Sequence, residues 1–245
     1  MAYGAFALIY DALTADVEYD KRAEYILSLF NLHWFKSGGP DTCLLDLACG
    51  TGSLALRFRD MGFDVIGVDG SPDMLSLARE KLGPEVLLLC QDMAELDLYG
   101  TVNAAVCSLD SLNHITDKAA LARVFERVSL FLEPGGVFVF DMNTPYKHRE
   151  VLGNNTFAYE AEGVFCVWRN EYRENDIVNI CLDIFMEEKG KYARFTEEFS
   201  ERAYGHEEVL GFLEKAGFKF IAAYDDMSLN PPGDKTERVY YVAVR

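Results

Sequence analysis

The amino-acid sequence predicts an α/β fold: a doubly wound, mostly parallel sheet with an inserted antiparallel β subdomain. Two observations support this prediction. Short apolar segments alternate with amphipathic segments over residues 43–141, and the alternation resumes at residue 206. Between these regions, residues 156–204 alternate apolar and polar positions with a period of two. Strands that alternate with helices form a parallel sheet covered on both faces, whereas a period of two is typical of half-buried strands.

The first alternating region contains the predicted centre of the sheet. Continuous apolar runs predict strands at Cys43–Leu47, Val65–Val68, Val86–Cys90, Val102–Cys107 and Val137–Asp141. Amphipathic spacing predicts helices at Ser53–Met61, Pro72–Leu82 and Lys118–Phe131, and residues 3–35 also have helical spacing. Proline is favoured in the first turn of a helix, which supports a helix start at Pro72.

The change of pattern after residue 145 marks the insertion. Two to four antiparallel strands are predicted between Thr156 and Tyr204, entered at Pro145 and with a hairpin loop at 188–191. A helix at His206–Ala216 and strands at Phe218–Tyr224 and Val239–Val244 follow. The 245 residues are therefore predicted to divide into a core with an N-terminal helical segment (1–145), an inserted β lid (146–204) and a return to the core (205–245).

The charge of the chain argues against nucleic acid as a partner. The chain has 40 acidic and 23 basic residues, a formal net charge of −17, and no prominent run of Lys and Arg. Proteins that bind DNA or RNA present clustered basic side chains to the phosphates. A small-molecule partner is therefore expected, with the chain acting as a monomer or a homodimer.

Cysteine usage and hydropathy indicate a cytoplasmic protein without a membrane partner. The six cysteines form no CxxC pair and lie mostly in apolar runs, as expected for buried thiols in a reducing compartment rather than disulfides or metal ligands. No segment reaches the ~20 apolar residues that span a bilayer. The N-terminus has no positive charge before Lys21, which is atypical of a signal peptide.

A glycine motif lies where the first predicted strand gives way to a helix. It reads Asp46-x-x-x-Gly50-x-Gly52. Glycines permit a tight turn and a close approach to a ligand, and the N–H groups at a helix start favour a negative ligand group. The run Gly50-x-Gly52-x-x-Ala55 also fits a generic dinucleotide fingerprint. An NAD(P)-dependent oxidoreductase, or a turn needed only for the fold, are therefore alternatives at this point.

Acidic and polar residues around the motif indicate the ligand more closely. Asp46 would repel a pyrophosphate but can pair with an ammonium group or organise the loop. Asp69 ends the second strand, where an acid accepts hydrogen bonds from ribose hydroxyls. Gln91-Asp92-Met93 ends the third strand, where an adenine ring would lie. A ribose, an adenine and a zwitterionic tail without a pyrophosphate describe S-adenosylmethionine (SAM).

The segment from Asp46 to Gly52 resembles the first motif of class I SAM-dependent methyltransferases, D/E-x-x-x-G-x-G. The resemblance continues through VIGVDGSPDMLSLAREK (65–81), QDM (91–93), VCSLDSLNHI (106–115) and LEPGGVFVFDM (132–142). The N-terminal segment and the inserted strands resemble small bacterial members with a β-rich lid. The resemblance implies a Rossmann-like, seven-stranded sheet whose last strand is antiparallel.

The resemblance also implies roles for individual residues. The backbone at Ala48, Gly50 and Gly52 would contact the methionine part of SAM, and Asp69 the ribose. The adenosine would lie near Gly70 or Met74, with Asp92 at the adenine amino group and Gln91 and Met93 flanking the ring. Leu109 would lie beside the sulfonium, and Tyr10 would close over SAM or simply pack.

The chemistry expected is direct in-line displacement at the methyl group, for which alignment matters most. A general base is needed only for a protonated acceptor. His114 is the candidate base, with a structural role as its alternative, and Asp110 is expected to shape the site. The aromatic residues of the insertion and a nearby cation are candidates for an acceptor pocket, with the core of the small sheet or a dimer contact as the alternative: Tyr159, Phe165, Trp168, Tyr172, Tyr192 and Arg194. A non-catalytic SAM-binding protein is the alternative function.

Overall fold

The computed structural model describes residues 3–33, 42–161 and 163–245, which form two sheets and six α-helices. The helices are α1 (Tyr3–Leu13), α2 (Tyr19–His33), α3 (Ser53–Asp60), α4 (Pro72–Leu82), α5 (Lys118–Phe131) and α6 (His206–Lys215). The strands are β1 (Cys43–Leu47), β2 (Asp64–Asp69), β3 (Leu87–Cys90), β4 (Val102–Cys107), β5 (Leu132–Asn143), β6 (Thr156–Ala161), β7 (Val164–Arg173), β8 (Ile177–Glu188), β9 (Lys191–Arg202), β10 (Lys219–Asp225) and β11 (Arg238–Val244).

The larger sheet has seven strands in the order β10-β11-β5-β4-β1-β2-β3. Strands β1 to β5 pair in parallel, and β11 runs antiparallel to both of its neighbours. This confirms the predicted Rossmann-like α/β fold. The order reverses between β1 and β4, and ligands of such sheets bind outside the carboxyl ends of the strands at this point.

Two apolar layers enclose the larger sheet. One face packs on α5 and α6 through side chains such as Phe125 and Leu213. The opposite face packs on α2, α3 and α4 through side chains such as Leu29, Phe58 and Leu82. Strands buried on both faces explain why the sequence reads as continuous apolar runs rather than as an alternation.

Two elements of the core differ from their predicted bounds by more than one residue at an end. The strand β5 begins at Leu132 instead of Val137, because Leu132 pairs with Val102 of β4 before an irregular turn in which Gly135 has a φ of 76°. A Cβ on Gly136 would lie 2.8 Å from the Asn103 carbonyl oxygen, so glycine permits this close approach. The predicted helical region 3–35 is divided into α1 and α2 at Glu18, whose φ is 52°. Residues 34 and 35 lie outside the described residues.

The smaller sheet is an antiparallel meander in the order β6-β7-β8-β9. Its hairpin turn lies at Lys189-Gly190, inside the predicted loop, and both residues have positive φ. One face packs on α1 through a cluster that includes Ile9, Cys166 and Ile180. None of the described helices is long and apolar enough to cross a membrane.

Candidate active site

The loop after β1 turns sharply at the carboxyl edge of the larger sheet. Ala48, Gly50 and Gly52 have φ values of 60°, 55° and 78°. A Cβ on Gly52 would lie 2.8 Å from Leu82 Cδ1, whereas a Cβ on Gly50 would meet no atom within 4 Å. Gly52 is therefore required by packing on α4, and Gly50 faces open space. A non-glycine residue in the left-handed region, as at Ala48, stores strain of a kind that concentrates at functional sites.

Asp46 lies beneath this loop with its carboxyl group buried. Its exposed fraction is 2%, and its Oδ2 has no hydrogen-bond partner among the described residues. Burial, reinforced by the negative charge of Asp69, raises the pKa of Asp46 to about 7. A buried polar atom without a partner is costly, so this oxygen is suited to a donor brought by a ligand.

Asp69, at the end of β2, holds the glycine loop in place. Its Oδ2 accepts a hydrogen bond from the Gly50 N–H at 2.8 Å, and its Oδ1 accepts one from the Ser71 N–H at 2.8 Å. Burial raises its pKa despite these two bonds. Each carboxylate oxygen has a second lone pair, so both remain able to accept ribose hydroxyls.

The residues expected near adenosine lie along the neighbouring ends of β2 and β3. Gly70 and Asp92 are exposed, whereas Met74 is a buried residue in the first turn of α4. The Gln91 side chain is held within its own loop, since it donates to the Asp97 carbonyl and accepts from the Asp97 N–H. Asp92 accepts the Ala94 N–H at 2.8 Å, and Met93 follows in a short 3₁₀ turn.

The N-terminal helix α1 is fastened onto the glycine loop by a polar network. The Thr51 hydroxyl donates to Asp11 Oδ1 at 2.6 Å, and the Lys81 ammonium donates to Asp11 Oδ2 at 2.8 Å. Lys81 also donates to Ser53 Oγ at 2.7 Å. No sequence signal pointed to Asp11 or Lys81. The network positions Tyr10 against the loop.

The loop after β4 faces the glycine loop across the switch point. Leu109 and Asp110 have φ values of 58° and 52°, and the buried Asp141 at the end of β5 holds both. Its Oδ2 accepts the Leu109 N–H at 2.8 Å, and its Oδ1 accepts the Asp110 N–H at 2.8 Å. Arg238, at the start of β11, donates to both Asp141 and Asp110. Burial opposes the charge of Asp110, yet Arg238, Lys147 and His114 hold its pKa well below its usual range.

A cavity of about 380 Å³ opens beyond this loop, between the larger sheet and the inner face of the smaller one. Its apolar wall includes Phe6, Leu13, Tyr159, Trp168, Leu182 and Phe199, and its polar wall includes Asp110, His114, Lys147, Glu201 and Arg238. Of the aromatic residues proposed from sequence, Tyr159 and Trp168 line the cavity. Phe165, Tyr172, Tyr192 and Arg194 do not.

A second, small cavity of about 30 Å³ lies at the glycine loop, where Asp46, Ala48 and Gly50 belong to its lining. Tyr10 and Leu109 line both cavities. Burial raises the pKa of the Tyr10 phenol far above neutrality, so this hydroxyl remains protonated. The two cavities therefore adjoin at Tyr10 and Leu109, both of which were predicted for the cofactor site. The other predicted cofactor residues line neither cavity: Gly52, Asp69, Gly70, Met74, Gln91, Asp92 and Met93.

His114 faces a carboxylate from the inserted sheet. Its Nε2 lies 3.6 Å from Glu201 Oε1, and its ring packs on Phe199 with the centroids 5.0 Å apart. The other Glu201 oxygen lies 3.7 Å from Nε2 of the buried His148. Sequence analysis missed Glu201, Lys147, His148 and Arg238, because nothing in the local pattern joins residues so distant in the chain.

Comparisons with known proteins identify the family of this chain. The family model for a methyltransferase domain matches residues 44–136. A methyltransferase of Bacillus subtilis (strain 168), YqeM, is 31% identical over 99% of this chain and 97% of its own length. A solved SAM-dependent methyltransferase from Clostridium acetobutylicum ATCC 824 is 35% identical, covers 100% of this chain and 99% of its own, and superposes with a TM-score of 0.87.

This chain belongs to the class I SAM-dependent methyltransferases. A further solved structure with SAM bound, the amino pentose methyltransferase CalS10 from Micromonospora echinaspora, is 25% identical with a TM-score of 0.77 and covers 97% of the methyltransferase described here and 96% of its own chain. SAM is thus the cofactor of this methyltransferase, and the oxidoreductase alternative for the glycine motif is wrong. The unpartnered Asp46 oxygen and the open space at Gly50 fit the SAM amino-acid group.

Proposed function

We propose that this methyltransferase transfers the methyl group of SAM to a small molecule held in the 380 Å³ cavity. The observation that supports this most strongly is the shared boundary at Tyr10 and Leu109, which line both the glycine-loop cavity and the larger one. A donor on the glycine loop and an acceptor in the cavity would meet there. The cavity volume is within the range of small-molecule sites.

On the cofactor side, the proposed roles follow the donors and acceptors that are present. Asp46 would accept the ammonium of SAM, the backbone at Ala48, Gly50 and Gly52 would approach its amino-acid part, and Asp69 would accept the ribose hydroxyls. The adenine end would lie at the exposed edge formed by Gly70, Met74, Gln91, Asp92 and Met93. Bound there, SAM supplies a methyl group already activated by the sulfonium.

On the acceptor side, alignment and exclusion of water carry most of the chemistry. Asp110 is a poor base, because Arg238 and its other cationic neighbours hold its pKa low, and its proposed role is to shape the loop. His114, at the cavity wall beside Glu201, is the proposed acceptor of a proton. The inserted residues 146–204 would act as the lid over the core formed by 1–145 and 205–245.

The chain's charge supports a small molecule over nucleic acid. The net charge of −17 and the acidic side chains at the cavity would repel phosphates. We prefer methyl transfer to SAM binding alone as the function, because the larger cavity adjoins the proposed cofactor site at Tyr10 and Leu109 and so offers space for an acceptor.

The proposal is tested with Trp168→Ala and a control, Tyr192→Ala. Trp168 lines the cavity, whereas the exposed Tyr192 on the same inserted sheet does not. Wild type and each variant are incubated with a metabolite extract of the source organism and SAM carrying a deuterated methyl group. Ultrafiltration then separates small molecules from macromolecules, and mass spectrometry detects the label in the filtrate and in the retained fraction. We expect label in the filtrate for wild type and Tyr192→Ala, at least tenfold less for Trp168→Ala, and equal SAM affinity for all three by calorimetry. Label only in the retained macromolecules would contradict the proposal.

A further inference from the structure

Glu201 is a buried carboxylate with unfilled hydrogen-bonding capacity at the wall of the acceptor cavity. It lies on β9 with an exposed fraction of 4% and belongs to the cavity lining. Its two oxygens face His114 and His148 at 3.6 and 3.7 Å, beyond the usual hydrogen-bond distance. Its Oε2 has no partner among the residues described.

The histidine behind Glu201 does not supply the missing donor in its neutral form. His148 Nδ1 lies 2.8 Å from the Asp176 carbonyl oxygen, which accepts only, so the ring proton belongs on Nδ1. The unprotonated Nε2 then faces Glu201 Oε2, so two hydrogen-bond acceptors lie opposite each other with no proton to share. A ligand with several N–H donors would relieve this arrangement.

Charge at the cavity favours a cationic ligand over an anionic one. Asp16, Asp110 and Glu201 are the acidic groups of the lining, against Lys147 and Arg238. Arg238 is already bound to Asp110 and to Asp141 behind it. The Lys147 ammonium donates to Asn143 Oδ1 at 3.0 Å, and burial, aided by the charge of Arg238, lowers its pKa. The acidic residues thus outnumber the basic ones around the space where an acceptor binds.

We infer that the acceptor is a primary or secondary amine on an apolar body of one or two rings, and that Glu201 receives its ammonium group. This inference rests on the proposed function, and it names the substrate class. The apolar wall supports an acceptor with a ring body, because the aromatic side chains of Trp168 and Phe199 line the cavity. Such side chains can pack on a ring and attract a neighbouring cation. Acceptors carrying phosphate or carboxylate groups would meet the excess of carboxylates and are disfavoured.

Methyl transfer to the amine is a single displacement that follows the loss of one proton. The bound ammonium gives one proton to the His114–Glu201 pair, which frees the nitrogen lone pair. The lone pair forms the new N–C bond to the methyl carbon while the S–C bond breaks and its electron pair stays on sulfur. The products are a protonated N-methyl amine and neutral S-adenosylhomocysteine (SAH).

The test compares Glu201→Gln with Glu198→Gln, a control on the same strand whose side chain is exposed. A metabolite extract of the source organism is separated by ion exchange into cationic, neutral and anionic fractions, and each is incubated with the protein and deuterated-methyl SAM. We expect labelled product from the cationic fraction, with the label on nitrogen by fragmentation. For that acceptor, Glu201→Gln should raise KM at least tenfold, as for loss of a charged hydrogen bond. SAM affinity should stay within twofold, and Glu198→Gln should behave as wild type.

Other outcomes would overturn either the amine assignment or the proposed methyltransferase function on which it rests. Label from the neutral or anionic fraction alone, or an unchanged KM in Glu201→Gln, would overturn the amine assignment while leaving a methyltransferase of small molecules. No labelled product from any fraction would instead remove the proposed function itself. Asp110, His114 and Glu201 have donor atoms within 4.8 Å of one another, so a chelator is added in parallel. Activity lost to the chelator and restored by Mg²⁺ or Mn²⁺ would reassign Glu201 to a metal site.

Discussion

The affinity for SAM should depend on pH through Asp46. In the free protein the pKa of this carboxyl is about 7, mainly because of burial, whereas a bound ammonium favours the ionised form and lowers the pKa. Only the ionised fraction binds well, so affinity rises with pH through the free-protein pKa. The ionised fraction is roughly one-eleventh at pH 6 and about three quarters at pH 7.5. The affinity for SAM should therefore rise about eightfold, which is ~1.2 kcal/mol of binding free energy.

The assay is isothermal titration with SAH between pH 6 and pH 7.5, below the ~7.7–8.0 pKa of an α-amino group. Two controls isolate Asp46. The first is 5′-methylthioadenosine, which has the adenosine and thioether but no amino-acid part, and its affinity should not share the eightfold rise. The second is the variant Asp46→Asn, which should bind SAH weakly and with no pH dependence from this position.

Two results would refute the reasoning. Parallel pH profiles for SAH and 5′-methylthioadenosine would assign the dependence to another group, such as Asp69, whose pKa is also raised by burial. An Asp46→Asn variant that kept the full slope would show that this carboxyl does not meet the ammonium.

Two further predictions concern the structure around the site. Arg238→Gln should lower the free energy of unfolding, measured by urea denaturation, by about 3–5 kcal/mol, because it leaves the buried Asp141 and the half-buried Asp110 without the charge of Arg238. A loss below about 1 kcal/mol would contradict this. Gly52→Ala should lower the melting temperature more than Gly50→Ala, since only at position 52 would the new methyl group crowd Leu82. Gly50→Ala should instead weaken SAM binding in a folded protein, and equal melting temperatures for the two variants would argue against the packing account.

The strands and helices of the core could be predicted because their signals are local. The predicted bounds of β1, α4, β4 and α5 are those observed. Polar caps mark both of these helix starts, with the Ser71 and Asp117 side chains accepting N–H groups of the first turn. The start of β5 was predicted wrongly, because Leu132 pairs with Val102 of β4 ahead of the Pro134-Gly135-Gly136 turn, and no local signal indicates this pair.

The cofactor motif could be found in the sequence, but half of the acceptor site could not. Asp46 and Asp69 lie at the ends of strands β1 and β2, at one edge of the sheet, and the motif spacing identifies them. Glu201 and Arg238 join the site only through tertiary contacts: Arg238 lies 128 residues from Asp110 in the chain. An alternating strand pattern indicates which residues share a face, but it does not indicate what that face covers.

The most direct test of the account is a crystal structure of this methyltransferase with SAH bound. We predict the SAH ammonium at Asp46, its ribose at Asp69, and its sulfur between Tyr10 and Leu109, facing the cavity that Glu201 lines. SAH bound elsewhere, or with its sulfur turned away from that cavity, would contradict both the cofactor assignments and the proposed path of the methyl group.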